Sequence, residues 1–283
     1  MAAERDRRSR GALSSEDPGP PSGLRGRRGA PAPLRPARNA ALALAIVLGA
    51  APGPAAAIEQ TVNELWPELN VFVRTGDRTR LMALASIARA REFATSTEAS
   101  YGLHYDWFAA ELPEWWRTAL PTMEGRWSLW FRLGYQRIEA LGDDQRDENR
   151  LLGDMTLRSE PLPWALQIAN RSRFELRDIG SDTSWRYRNR TRLERVFSPR
   201  EVFGTRIGER LQRSGVGSLT PYAMLELFWD SRESRWNRRY QQYGVEVELD
   251  GGRALELYLA FQDQRRRESS YVTAIGVVYT LRY

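Results

Sequence analysis

The sequence predicts an all-β chain, a single antiparallel transmembrane β-barrel of about 10–12 strands preceded by a signal peptide. Three observations carry that prediction. Segments of about ten residues with alternating character recur from Trp66 to the C-terminus, each bounded by polar, Gly or Pro turns. Within the stretch Asn170 to Arg195, one parity is almost wholly ionic: Arg171, Arg173, Glu175 and Arg177, then Arg186, Arg188, Arg190, Arg192 and Glu194. A helix would scatter these residues around its circumference, whereas a strand puts alternate residues on one face. The last segment, YVTAIGVVYTLRY, sets Tyr271, Thr273, Ile275, Val277, Tyr279, Leu281 and Tyr283 on one apolar face with aromatics toward both ends. Tyr271, Tyr279 and Tyr283 therefore read as membrane-interface aromatics, whose rings suit a boundary between hydrocarbon and water.

Composition bounds the remaining classes. The chain has 283 residues, long enough for one large β domain. It has no Lys, so all 42 basic residues are Arg, and no Cys, which removes disulfides, Cys-bound zinc and thiol nucleophiles. The net charge of +6 is unevenly placed. Residues 1–57 carry nine Arg against Glu4, Asp6, Glu16 and Asp17, a local net of +5, leaving +1 for the rest. Basicity belongs to the leader, and no nucleic-acid footprint is expected on the folded part.

Taken in order, residues 1–57 form the leader. Arg35 and Arg38 precede an apolar core over 40–50, followed by Pro52, Gly53 and Pro54 and the small-residue site Ala55-Ala56-Ala57. That order is the one a secretory signal uses, with cleavage expected after Ala57 and export through the general secretory route. The apolar run is about half of the roughly 20 residues a spanning helix needs. Residues 58–283 then form the barrel. Strand segments are expected at 66–74, 80–90, 98–108, 126–138, 148–158, 164–177, 185–197, 219–229, 238–249, 253–264 and 271–283. Eleven segments conflict with the even count of bacterial barrels. Either the Pro67-containing segment at Trp66 is not a full strand, or a further strand lies in 109–125 or 199–218; Arg200 to Leu211 reads equally as a strand or a short helix. With Tyr283 placed in the periplasm, the Asp250-Gly251-Gly252 turn and the 198–219 connection fall on the periplasmic side. The Asp178–Ser184, Asp230–Asn237 and Gln262–Ser270 loops then face outward, in line with short inner turns and longer outer loops.

The ionic parity is expected inside. A charge facing lipid at mid-depth costs roughly 2–4 kcal/mol, so a ladder of four facing lipid would offset the whole stability of a domain. The lumen set is Arg132, Arg158, Arg171, Arg173, Glu175, Arg177, Arg186, Arg188, Arg190, Arg192, Glu194, Glu226, Arg238, Glu246 and Glu256. Paired across strands, Arg and Glu would fill a small barrel. The rival reading is a cationic constriction that prefers anions, since Arg outnumbers Glu on 164–177 and 185–197. An enzyme reading, a membrane-embedded lipid-modifying activity, would have to rest on the single histidine, His104, which shares a strand face with Ser100 and Asp106. We expect no enzyme, no cofactor and no metal, since no ligand cluster, phosphate loop or dinucleotide fingerprint is present.

Several segments together resemble an uncharacterised outer-membrane β-barrel family, the domain-of-unknown-function family 2490. They are ELWPELNVFVRTGDRTRL at 64–81, RSRFELR at 171–177, SWRYRNRTRLER at 184–195, TPYAMLELFWDSR at 220–232 with Glu226, NRRYQQYGVEVEL at 237–249 with Gly244, and the C-terminal strand. The long Arg200–Ser218 connection and the Trp115-Trp116 stretch depart from that pattern. The resemblance implies a barrel in the outer membrane of a Gram-negative bacterium and no activity. An aromatic last residue preceded by alternating apolar positions resembles the signal by which the barrel-assembly machinery takes up its substrates. Partners are therefore expected to be that machinery and outer-membrane lipid.

Overall fold

The structure is a computed structural model, which describes residues 61–90, 96–109, 127–141, 147–159, 161–264 and 270–283. The leader, residues 1–57, lies outside the described residues. The described chain forms eleven strands and one helix of more than one turn. The strands are β1 (Thr61–Gly76), β2 (Thr79–Ala90), β3 (Ser96–Ala109), β4 (Trp127–Ala140), β5 (Glu148–Ser159) and β6 (Leu166–Ile179). They continue as β7 (Asp182–Arg195), β8 (Val216–Asp230), β9 (Arg235–Leu249), β10 (Arg253–Gln264) and β11 (Ser270–Arg282). The helix α1 (Pro199–Arg213) connects β7 to β8. No described helix is long and apolar enough to cross a membrane.

Each strand pairs with its neighbour in sequence, antiparallel, and β1 closes the barrel against β11. The closing pair is parallel, with Thr61↔Tyr271 through Phe72↔Arg282 in register. This corrects two expectations at once: the closed barrel holds eleven strands rather than ten or twelve, and it is not antiparallel throughout. An odd number of up-and-down strands leaves the first and last running the same way, so closure requires one parallel seam. The terminal residue completes it: the Tyr283 N–H donates to the Phe72 carbonyl at 2.9 Å, and the Tyr283 carbonyl accepts from the Arg74 N–H at 2.9 Å.

The segment at Trp66 is thus a full strand in spite of Pro67. The β1–β2 register runs through Glu64↔Ala90 and Leu65↔Arg89 and resumes at Glu68↔Ser86. The interruption falls where proline has no N–H to give to a ladder. The 199–213 stretch is a helix, because Ser198 starts it with a capping box in which its side chain accepts from the Glu201 N–H and the Glu201 carboxylate accepts from the Ser198 N–H. Loop length does not divide the two barrel ends as expected. The long connection 196–215 lies at the end where the chain terminates, together with the tight turns at 77–78 and 250–252, while residues 110–126, where a further strand was the alternative, lie outside the described residues.

Along every strand one parity faces out and the other in. Outward residues are apolar and exposed, as at Leu103 (58%), Leu133 (62%) and Phe174 (59%). Stacked aromatic pairs flank that band: Trp107–Phe131 toward the C-terminal end and Trp185–Trp229 toward the other. The interior is buried polar and aromatic surface, the inverse of a water-soluble domain. Its walls differ. The β5–β9 side is ionic, whereas Ala254, Ala260, Val272, Ala274 and Val278 line β10 and β11. Inward rings there lie against glycines on the neighbouring strand. Tyr258 pairs with Gly276, where an added Cβ would fall within the ring.

Candidate functional site: the ionic interior

The interior charges assemble because strand parity turns them inward and register brings opposite signs level. Glu148 on β5 binds Arg150, two positions away on the same face, at 2.5 Å and Arg177 of β6 at 2.7 Å, with a further short bond to the Arg177 Nε–H. Arg177 reaches on to Asp230 of β8 at 3.0 Å, and Asp230 also accepts from Arg186 at 2.8 Å. One layer along the barrel, Asp154 takes both parallel N–H groups of Arg173, at 2.6 and 2.8 Å. Glu226 is the shared acceptor of three guanidiniums: Arg171 at 2.9 Å, Arg188 at 2.9 and 3.1 Å, and Arg190 at 3.0 Å. Arg188 ties this group to Glu175 at 2.8 Å. Glu226 and Glu175 are 0% and 1% exposed. Taking such ions out of water costs several kcal/mol each, which only bidentate pairing of this kind offsets.

Toward the C-terminal end the spacing widens. Glu194 pairs with Arg158 and with Arg192, and Glu246 lies 3.4 Å from Arg192 and 3.2 Å from Arg282. Glu256 accepts from the Tyr222 hydroxyl, and the Gln242 amide donates to both. Arg132 binds Asp106 at 2.6 Å, alongside Arg80 at 2.8 Å. Nearer the opposite end, Arg238 sits over the Phe228 ring with Gln262 at 3.5 Å. A cavity of about 560 Å³ occupies the C-terminal end of the interior. Its lining carries six arginines (80, 132, 158, 171, 192 and 282) against Asp106, Asp154, Glu194, Glu246, Glu248 and Glu256, also six. Toward the opposite end the cavity gives way to the packed layer of Glu175, Arg177, Arg186, Glu226, Phe228, Tyr240 and Ala260, all buried.

Every residue of the expected lumen set thus lies within or beside this network. The excess of Arg seen on β6 and β7 vanishes when acids from other strands are included. The expected lumen set missed five of those acids: Asp106, Glu148, Asp154, Asp230 and Glu248. Their signal was present in even spacing, Glu148-Arg150-Leu152-Asp154 on β5 and Glu226-Phe228-Asp230 on β8. Tyr222 and Gln242 carried no signal, because only register makes them meet Glu256.

Of the interface aromatics, Tyr279 is half-buried on the outer face and Tyr283 is exposed. The Tyr271 side chain lies outside the described residues. His104 faces inward and is buried, with Nδ1 making no hydrogen bond. Its ring covers Gly134 on β4, where any Cβ would collide with it. Ser100 shares a hydrogen bond with Ser86 at 2.6 Å, and Asp106 is held by its two arginines. The three residues share a face, but the two flanking ones are engaged elsewhere. Among the described residues no cluster of His, Asp and Glu has metal-binding geometry. In the comparisons with known proteins, no family model, no curated protein and no solved structure matches the chain.

Proposed function

We propose that this chain is an outer-membrane β-barrel of a Gram-negative bacterium with a structural role, its interior filled by an ion-pair network and open only as a vestibule at the C-terminal end. The observation that carries the reading is the Glu226 layer, where Arg171, Arg188 and Arg190 converge on one fully buried carboxylate. Barrels of this size are filled by side chains, and open aqueous channels belong to barrels of about 16–18 strands. The apolar outer band with aromatics at both edges supports contact with acyl chains. On this reading the leader directs export through the general secretory route, and the C-terminal strand delivers the chain to the barrel-assembly machinery. Membership of the domain-of-unknown-function family 2490 belongs to the same proposal and rests on the six segments quoted above.

The balanced charge of the vestibule lining favours the filled barrel over an anion-preferring, porin-like channel. Planar-bilayer recording of the refolded protein tests this. The expected trace shows no steady unitary current at any voltage; a persistent conductance with anion-over-cation selectivity would replace the structural reading with the channel. Membrane fractionation with heat-modifiable gel migration tests the location: recovery in the soluble fraction sinks it.

A further inference from the structure

The β7–β8 connection carries features that the filled barrel does not require. After its capped first turn, α1 is interrupted at Gly204, whose φ of 74° breaks the helical run. The second run turns back, so that buried Gly208 rests on Pro199 and Arg200; a Cβ there would stand 2.5 Å from the Arg200 Cα. Arg200 holds the fold-back by reaching Gln212 at 3.0 Å and Glu209 at 3.5 Å. This compact unit exposes the side chains that a folded helix ordinarily buries: Val202, Phe203 and Ile207 are 37%, 44% and 54% exposed. Between them stand exposed Arg206 and, one turn on, Arg210 and Arg213, so that α1 carries four Arg against Glu201 and Glu209.

A second element at the same end behaves alike. Leu166 pairs with Arg195, so the turn before β6 leaves the barrel beside the connection that carries α1. In that turn Trp164 and Ala165 both have positive φ, 66° and 57°, and Trp164 is 84% exposed. Two successive non-glycine residues in that region are strained, and here the strain holds an indole away from the protein.

We propose that α1 and Trp164 form a footing in the anionic phospholipid surface at the C-terminal end of the barrel. The inference rests on the reading that the outer band meets acyl chains. Given that, the boundary of the leaflet passes where β6 and β8 begin and β7 ends, on the strands that carry the outward, exposed Leu193 and Leu225. Apolar side chains interleaved with Arg, beside a projecting Trp, are what such a boundary takes up: rings and aliphatic chains enter the acyl margin while guanidiniums meet phosphates. A protein partner would not need the footing to lie at the edge of that band.

The absence of Cys makes the test direct. Single Phe203→Cys, Ile207→Cys, Arg206→Cys and Leu257→Cys variants carry an environment-sensitive fluorophore. Each full-length protein is reconstituted into vesicles of phosphatidylcholine with phosphatidylglycerol, and quenching is read with lipids brominated at shallow or deep acyl positions. Labels at 203 and 207 are expected to lose at least about half their emission to the shallow quencher. The label at 206 is expected to lose little, and the label at 257 should respond to the deep quencher. Omitting phosphatidylglycerol should weaken quenching at 203 and 207 only. If 257 is quenched while 203 and 207 are not, or if they respond equally without anionic lipid, the footing is overturned and the barrel stands. If 257 is not quenched, the membrane reading itself fails and takes the footing with it.

Discussion

Glu226 concentrates the energetics of the interior. Its two oxygens accept from Arg171, Arg188 and Arg190, and it is wholly buried. Glu226→Ala would leave three guanidiniums around one missing acceptor, an uncompensated charge that costs on the order of 3–5 kcal/mol. We expect a clear fall in the urea midpoint of the vesicle-folded protein; an unchanged midpoint would show that water already serves these arginines. His104 and Gly134 supply a second case. Gly134→Ala should destabilise by about 1–3 kcal/mol through overpacking against the imidazole, and much less when His104→Ala has cleared the space. A double-mutant cycle measures the difference, and additive losses would mean that the ring does not rest on the glycine. At this scale the sequence announced which face each charge takes but not its partner. Asp154 binds Arg173 because Asp154↔Arg173 is the β5–β6 register, and register is a property of two strands.

Strands were the most legible elements. All eleven expected segments exist, because a two-residue period survives wherever one side meets apolar surroundings and the other a polar interior. Their bounds were less legible: β1 begins at Thr61 and not at Trp66, as its pairing with β11 extends order past Pro67. The 199–213 stretch left strand and helix equally open, and the Ser198–Glu201 capping box decided between them. The partition predicts an asymmetry along one strand. If the outer band meets lipid as proposed, Leu257→Arg places a charge there on β10, with an expected loss of roughly 2–4 kcal/mol at mid-depth. Ala254→Arg, on the inward parity of the same strand, lining the cavity and opposite Glu248, should cost far less. Equal losses by chemical unfolding in vesicles would contradict the inside-out assignment.

For the whole molecule the decisive feature is the seam. Eleven strands close only if β1 and β11 run parallel, which sets Leu65 opposite Ile275 on the outer face. In this cysteine-free chain, Leu65→Cys with Ile275→Cys should be joined by a short thiol cross-linker and migrate as a closed species on denaturing gels. A twelfth strand inserted at the seam would separate the two positions by a further strand spacing of about 5 Å, and the cross-link would fail. The same closure places acids from β3, β5 and β8–β10 around the arginines of β6 and β7, converting an apparent cationic wall into a balanced lining.

By itself the sequence determined the all-β class, the strand segments, the ionic face of each strand and the lack of thiol chemistry. All of these follow from residue type and a period of two along one strand. Only the tertiary structure decided the strand number, the parallel closure, the identity of each ion-pair partner and the division of the interior into a packed layer and a vestibule. Those depend on which residues stand level across the barrel, a relation among strands that no single strand records.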